Sequence, residues 1–173
     1  MSRQANPTPT PLAPQGGVVH YGDRIYDDPR HDPYQAKRKY DEPTVCTDCG
    51  AIFHRGHWQI GTAAAGAHRA TCPACHRIHD KLPAGYLTLE GLYFDEHRDE
   101  ILGLVRNQAE RDRPQHPLNR IMDIVSEGGR TTVTTTDVHL PQRIGSALRN
   151  AYQGDLDIRY GHDEYSVRVA WRR

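Results

Sequence analysis

From Tyr86 onward, apolar and polar residues recur with two different periods, and these predict the order of elements. Tyr86-Leu87-Thr88-Leu89-Glu90 alternates, as a strand with one buried face does. From Phe94 to about Arg113, Ile101, Leu102, Leu104, Val105 and Ala109 fall at helical spacing, and Pro114 stops the helix. Arg120–Ser126 and Arg130–Thr136 flank Glu127-Gly128-Gly129, a hairpin turn whose glycines can take positive φ. The β-branched threonines of the second segment favour a strand. Asp137 is placed to cap a second helix with Leu140, Ile144, Ala147, Leu148 and Ala151 on one face. Pro141 fits only in its first turn, and Gln153-Gly154 ends it. A closing hairpin around Gly161 pairs Asp155–Tyr160 with Tyr165–Arg172, where Val167, Val169 and Trp171 share a face. The order β-α-β-β-α-β-β predicts an α+β unit over 84–173, a ferredoxin-like β-α-β-β-α-β domain with one extra strand. Its two helices are expected on one face of the sheet, leaving the other face open to RNA or protein.

Upstream, this periodicity disappears. Residues 1–42 carry Pro7, Pro9, Pro11, Pro14, Gly16 and Gly17 with almost no aliphatic side chains, which predicts a disordered Pro/Gly-rich tail. Tyr21, Tyr26, Tyr34 and Tyr40 are scattered among alternating charges. Such a tail can order on a partner, tyrosines stacking on bases and cations meeting phosphates, and Ala36–Tyr40 (AKRKY) is its best local segment.

Residues 43–83 hold all four cysteines, as two C-x-x-C pairs: Cys46 with Cys49, and Cys72 with Cys75. Each C-x-x-C turn aims two sulfurs at one point, and two facing knuckles make a tetrahedron of thiolates around Zn²⁺. Four such ligands close the shell, so the site reads as a structural zinc ribbon and not a catalytic metal. Gly50 follows Cys49 where the chain must turn, Pro73 stiffens the second pair, and Ile52, Phe53 and Trp58 supply apolar surface beside the ion. Rubredoxin-type iron uses the same ligands. Paired disulfides need an oxidising compartment, and a redox C-x-x-C normally stands alone. His54, His57, His68, His76 and His79 surround the unit as surface histidines, with His76 or His79 best placed to replace a cysteine.

Charge and composition narrow the function. Formal net charge is zero and mean hydropathy is −0.78, so any basic footprint must be local. The best one combines His139, Arg143 and Arg149 on the second helix with Arg168 and Arg172 on the last strand, as a phosphate-reading RNA patch. No apolar run approaches a membrane span and no secretory h-region opens the chain, so a cytoplasmic location is expected. Serines are few and none stands in G-x-S-x-G, and Gly128-Gly129 lacks the lysine of a phosphate loop. The FHRGHW run, Phe53 to Trp58, admits a metal-dependent nucleic-acid enzyme, but lacks the further His or Asn of a ββα-metal nuclease. No enzyme is expected. A zinc-binding RNA- or ribosome-associated protein is the leading expectation, and a zinc-stabilised protein-interaction or regulatory module is the alternative.

Two runs carry a resemblance. Cys46-Thr47-Asp48-Cys49-Gly50 with Cys72-Pro73-Ala74-Cys75, and Thr136-Asp137-Val138-His139-Leu140-Pro141-Gln142-Arg143-Ile144-Gly145, resemble the nonsense-mediated-decay-protein-three family. Members of that family are zinc-containing adaptors of the large ribosomal subunit. The chain looks like a short bacterial relative over roughly 45–173, and the resemblance implies zinc, a ribosome or RNA partner and no enzymatic activity.

Overall fold

The computed structural model describes residues 32–35, 39–161 and 165–173. Of the expected tail, residues 1–31 and 36–38 lie outside the described residues, and with them most of the AKRKY run. The described part of that segment is not a free tail. Asp32 pairs with Arg77 at 2.5 Å, and Tyr40 packs 5.2 Å from Phe53 and 5.1 Å from Trp58, ring centre to ring centre. Arg77 is 3% exposed, so it needs the counter-charge that Asp32 brings.

The fold is mixed α+β, with two sheets and four helices among the described residues. The first sheet comprises β1 (Thr44–Cys46), β2 (Ile52–His54), β3 (His57–Gln59) and β4 (His68–Ala70), in the order β3-β2-β1-β4. Between β2 and β3, Arg55 and Gly56 both take positive φ, and the Glu42 carboxylate accepts from their backbone N–H groups at 2.7 and 3.1 Å. That contact offsets the strain of a non-glycine residue in the left-handed region. Helix α1 (Pro73–Asp80) follows.

The second sheet contains β5 (Gly85–Glu90), β6 (Ile121–Glu127), β7 (Arg130–Thr135), β8 (Asp155–Tyr160) and β9 (Val167–Arg172), in the order β6-β7-β5-β9-β8. The predicted long helix is two, α2 (Leu92–Glu96) and α3 (Arg98–Asp112), and α4 (His139–Tyr152) is the second predicted helix. Asp137 caps α4 as expected, its Oδ2 accepting from the N–H groups of His139 and Leu140 at 2.8 and 3.1 Å. Ile101, Leu102 and Val105 of α3 and Leu140, Ile144 and Leu148 of α4 join Leu87, Leu89, Val133, Val169 and Trp171 in one buried cluster. Both helices therefore cover the same face. No helix among the described residues is long and apolar enough to cross a membrane.

The ferredoxin-like order is not what forms. In that order the strand after the second helix lies beside the first strand. Here β9 takes the place next to β5, in parallel register (Leu87 opposite Val169), and β8 is pushed to the edge as its antiparallel partner. Burial explains the exchange. Val167, Val169 and Trp171 are at most 1% exposed, whereas β8 buries only Ile158 and carries Asp155, Asp157 and Arg159. A strand alternating charge with a single fully apolar contact belongs at an edge. The extra strand is thus inserted, not appended.

Gly85 marks where the start of α4 meets the sheet. A Cβ there would lie 2.5 Å from the Asp137 carbonyl oxygen and 2.6 Å from Pro141 Cγ, and would also strike Thr135 Oγ1. Gly85→Ala should therefore lower the denaturant midpoint by an overpacking cost of roughly 1–3 kcal/mol with little change in m. An unshifted midpoint would show that α4 can back away from β5.

Candidate metal centre and the adjoining hollow

The two knuckles come from different elements. Cys46 ends β1 and Cys49 follows in the turn closed by Gly50, whose φ is +74°. Cys72 is the N-cap of α1 and Cys75 sits in its first turn, with Pro73 at the first helical position. The Cys75 N–H reaches Cys72 Sγ at 3.5 Å, and the Cys72 N–H reaches Cys46 Sγ at 3.3 Å. Helix N-termini favour negative charge, so the second knuckle suits thiolates.

All four sulfurs lie within 4.8 Å of one another, with Cys46–Cys75 and Cys49–Cys72 both at 3.8 Å. Four thiolates bonded at ~2.3 Å to one tetrahedral ion stand roughly 3.8 Å apart, while a disulfide needs ~2.05 Å. The cysteines are free, and the cluster can hold one metal ion. No histidine joins it among the described residues: His76 is exposed, and His79 faces Asp48 at 3.5 Å. Of the three apolar residues expected beside the ion, Phe53 and Trp58 pack around the cysteines, joined by Tyr40 and Leu118, while Ile52 is buried outside that cluster.

Two of the sulfurs, those of Cys72 and Cys75, resist ionisation. Burial pushes the Cys75 thiol up to about 11 against the pull of Arg120 and Cys72. Burial pushes Cys72 up as well, and the neighbouring sulfurs add to it. For Cys46, burial acts upward too, but N–H groups of Cys49, Cys72 and Asp48 outweigh it and hold the thiol at about 7. A bound cation must therefore displace protons from this cluster, which ties metal affinity to pH.

Arg120 lies in the segment leading into β6, yet its Nη2 is 3.5, 3.3 and 3.5 Å from the sulfurs of Cys49, Cys72 and Cys75. It caps one face of the sulfur tetrahedron from outside. Burial works against its charge, but the sulfurs outweigh burial and raise its pKa further. Sequence spacing carried no sign of this residue, because its partners are 45 to 71 positions away.

The expected RNA patch is not brought together. His139, Arg143 and Arg149 lie on α4, which covers the core face of the sheet, while Arg168 and Arg172 alternate outward on β9. Arg143 Nη2 donates to Asp112 Oδ2 at 2.7 Å. The Arg168 guanidinium lies 4.5 Å from the Tyr86 ring centre. Glu90 accepts from Arg172 and Arg130, at 2.5 and 3.0 Å, and those two arginines hold its carboxyl below the usual range. On the same face Arg159 pairs with Asp157 at 2.7 Å. On this face, among the described residues, Arg130, Arg159 and Arg172 are held in ion pairs and Arg168 lies over an aromatic ring.

A hollow of about 560 Å³ opens beside the cysteine cluster. Tyr40, Phe53 and Trp58 form one wall, and the Gln115–Asn119 segment after α3 forms the opposite side. No family model matches the chain, and comparison with curated proteins and with solved structures finds no similar one.

Proposed function

We propose that this chain is a non-enzymatic RNA- or ribosome-docking protein whose docking unit is stabilised by zinc. The observation that carries the structural role of the metal is closure: four cysteine sulfurs fill a tetrahedral shell, and Arg120 blocks one face of it. That leaves no position for a substrate or an activated water. An all-sulfur tetrahedron suits zinc, and the four cysteines are the metal-holding group found among the described residues.

Support for RNA comes from the surface around the metal. His54, Arg55, His57, His68, Arg69 and His76 are all exposed on this small unit. The likeness of both motif runs to the ribosomal-adaptor family points the same way. The paired charges of the open sheet face favour a second reading, in which a protein partner docks there, because phosphate would have to break existing ion pairs.

Sedimentation of the metal-loaded chain with ribosomes from lysate, with and without nuclease, tests this reading. Co-sedimentation that nuclease abolishes and that weakens steeply with salt is the expected result. Partners retained after nuclease and insensitive to salt would favour the protein-docking reading.

A further inference from the structure

We infer that the hollow beside the cysteine cluster is a nucleotide site that takes one unstacked RNA base with its phosphate. This rests on the RNA-docking reading for the source of the ligand. The site itself rests on the chemistry of its walls.

The volume of about 560 Å³ falls in the roughly 300–1,000 Å³ range of small-molecule sites. One wall is aromatic and held rigid. Tyr40, Phe53 and Trp58 pack tilted or edge-on in all three pairs, 5.1 to 5.6 Å between ring centres, and they join Cys46, Cys72 and Cys75 in one buried cluster. Rings fixed in this way offer an ordered apolar wall for a flat ligand at little entropic cost.

The polar side chains lining the hollow are amides, imidazoles and one ammonium, and among the described residues no carboxylate lines it. Gln35, Gln115 and Asn119 can donate to and accept from the edge of a base. The exposed Lys39 can meet a phosphate by exchanging its partner Glu42, which it holds at 2.9 Å, and His57 is exposed beside it.

Two of these groups are oriented from behind. The Asp112 side chain, 8% exposed, accepts from Asn119 Nδ2 and His116 Nδ1, each at 3.1 Å, and from Arg143 at 2.7 Å. With Nδ1 donating to Asp112, His116 presents Nε2 as an acceptor for an N–H on a base edge, and Asn119 keeps its carbonyl oxygen as another. Arg143 therefore serves the site as a brace for Asp112 and not as a phosphate contact. An ordered aromatic wall on which Tyr40 is the partly exposed ring, base-reading amides and an exposed ammonium are groups that a base with its phosphate can use together.

Trp58 provides the probe. The only other tryptophan, Trp171, is fully buried and donates to the Gln153 carbonyl at 2.9 Å, so ligand-dependent emission reports on the hollow. The full metal-loaded chain is titrated with a single-stranded RNA octamer and, separately, with AMP. Saturable quenching by the octamer is expected, absent in Trp58→Phe. Asn119→Ala combined with Lys39→Ala should weaken octamer binding roughly tenfold or more, with metal content unchanged. Three results would overturn the assignment. If the octamer binds with Trp58 emission and the double variant both unaffected, RNA docks elsewhere and the docking reading survives. If AMP quenches and the octamer does not, the site belongs to a free nucleotide. If no RNA binds and ribosome sedimentation fails too, both readings fall together.

Discussion

Cys72→Ser is expected to release the metal and unfold residues 43–83 while leaving the larger sheet domain folded. Cys72 is fully buried and holds three roles at once: it supplies a ligand sulfur, caps α1 and accepts from Arg120. The cysteine-lined unit has a small core, with Phe53, Trp58 and the cysteines themselves as its main buried members. Metal binding of this type is worth on the order of 10–16 kcal/mol, which exceeds what so small a core supplies by burial. Losing it removes the unit's cooperativity. The seventeen-member core between the second sheet and α2–α4 contains none of the cysteines, so that domain should melt near its original temperature. Elemental analysis should show metal falling from one ion per chain to near none. Limited proteolysis should then cut within 43–83 and spare 84–173, and a strong chelator should reproduce both effects on the unaltered chain. A serine variant that kept full metal and resisted protease would remove Cys72 from the ligand set.

How much was legible depended on whether the signal was local. The cysteine spacing was local, and so were the alternation in β5 and the capping Asp137, and all three read directly onto the structure. Strand order is a competition between segments, and counting β and α elements does not decide it. The deciding signal was present: Asp155, Asp157 and Arg159 mark an edge, and Val167, Val169 and Trp171 mark a centre. The residues of the expected RNA patch are not gathered on one surface, because charge on a helix is not by itself available charge. Arg143 is consumed by Asp112, 31 positions earlier in the chain, and α4 lies across the sheet from Arg168 and Arg172. The Thr136–Gly145 run looks different once folded. Thr136 donates to the Leu118 carbonyl at 2.5 Å, Asp137 caps α4, Gln142 donates to the Val138 carbonyl at 2.7 Å, and Arg143 braces Asp112. Every one of those polar side chains has internal work, so the run secures architecture around the hollow before it contacts anything outside.

Arg120→Leu should weaken metal binding by about 10- to 100-fold, the usual cost of removing an outer-shell partner. Four thiolates around a divalent ion leave two negative charges, and Arg120 is the one cation whose hydrogen bonds to the cluster are seen among the described residues. Leucine would face that buried charge with hydrocarbon and leave it without its partner. The backbone should stay in place, because the Arg120 N–H donates to Thr136 Oγ1 at 2.9 Å and its carbonyl accepts from the Thr136 N–H at 3.0 Å. The loss is therefore electrostatic rather than a collapse of β6. Arg120 and the neighbouring Leu118 are also where the sheet domain meets the cysteine unit, so the variant should melt in two separated steps where the parent melts in one. Arg120→Lys should recover only part of the affinity, since one nitrogen, Nη2, makes all three sulfur contacts and the shorter, more strongly hydrated lysine ammonium ends a bond short of that position. Competition with a chromophoric chelator gives the affinity, and calorimetry gives the number of steps. Unchanged metal affinity in a folded leucine variant would make the guanidinium a bystander and leave the junction to contacts such as Leu118 on the cysteine cluster and Arg77 over the Tyr165 ring.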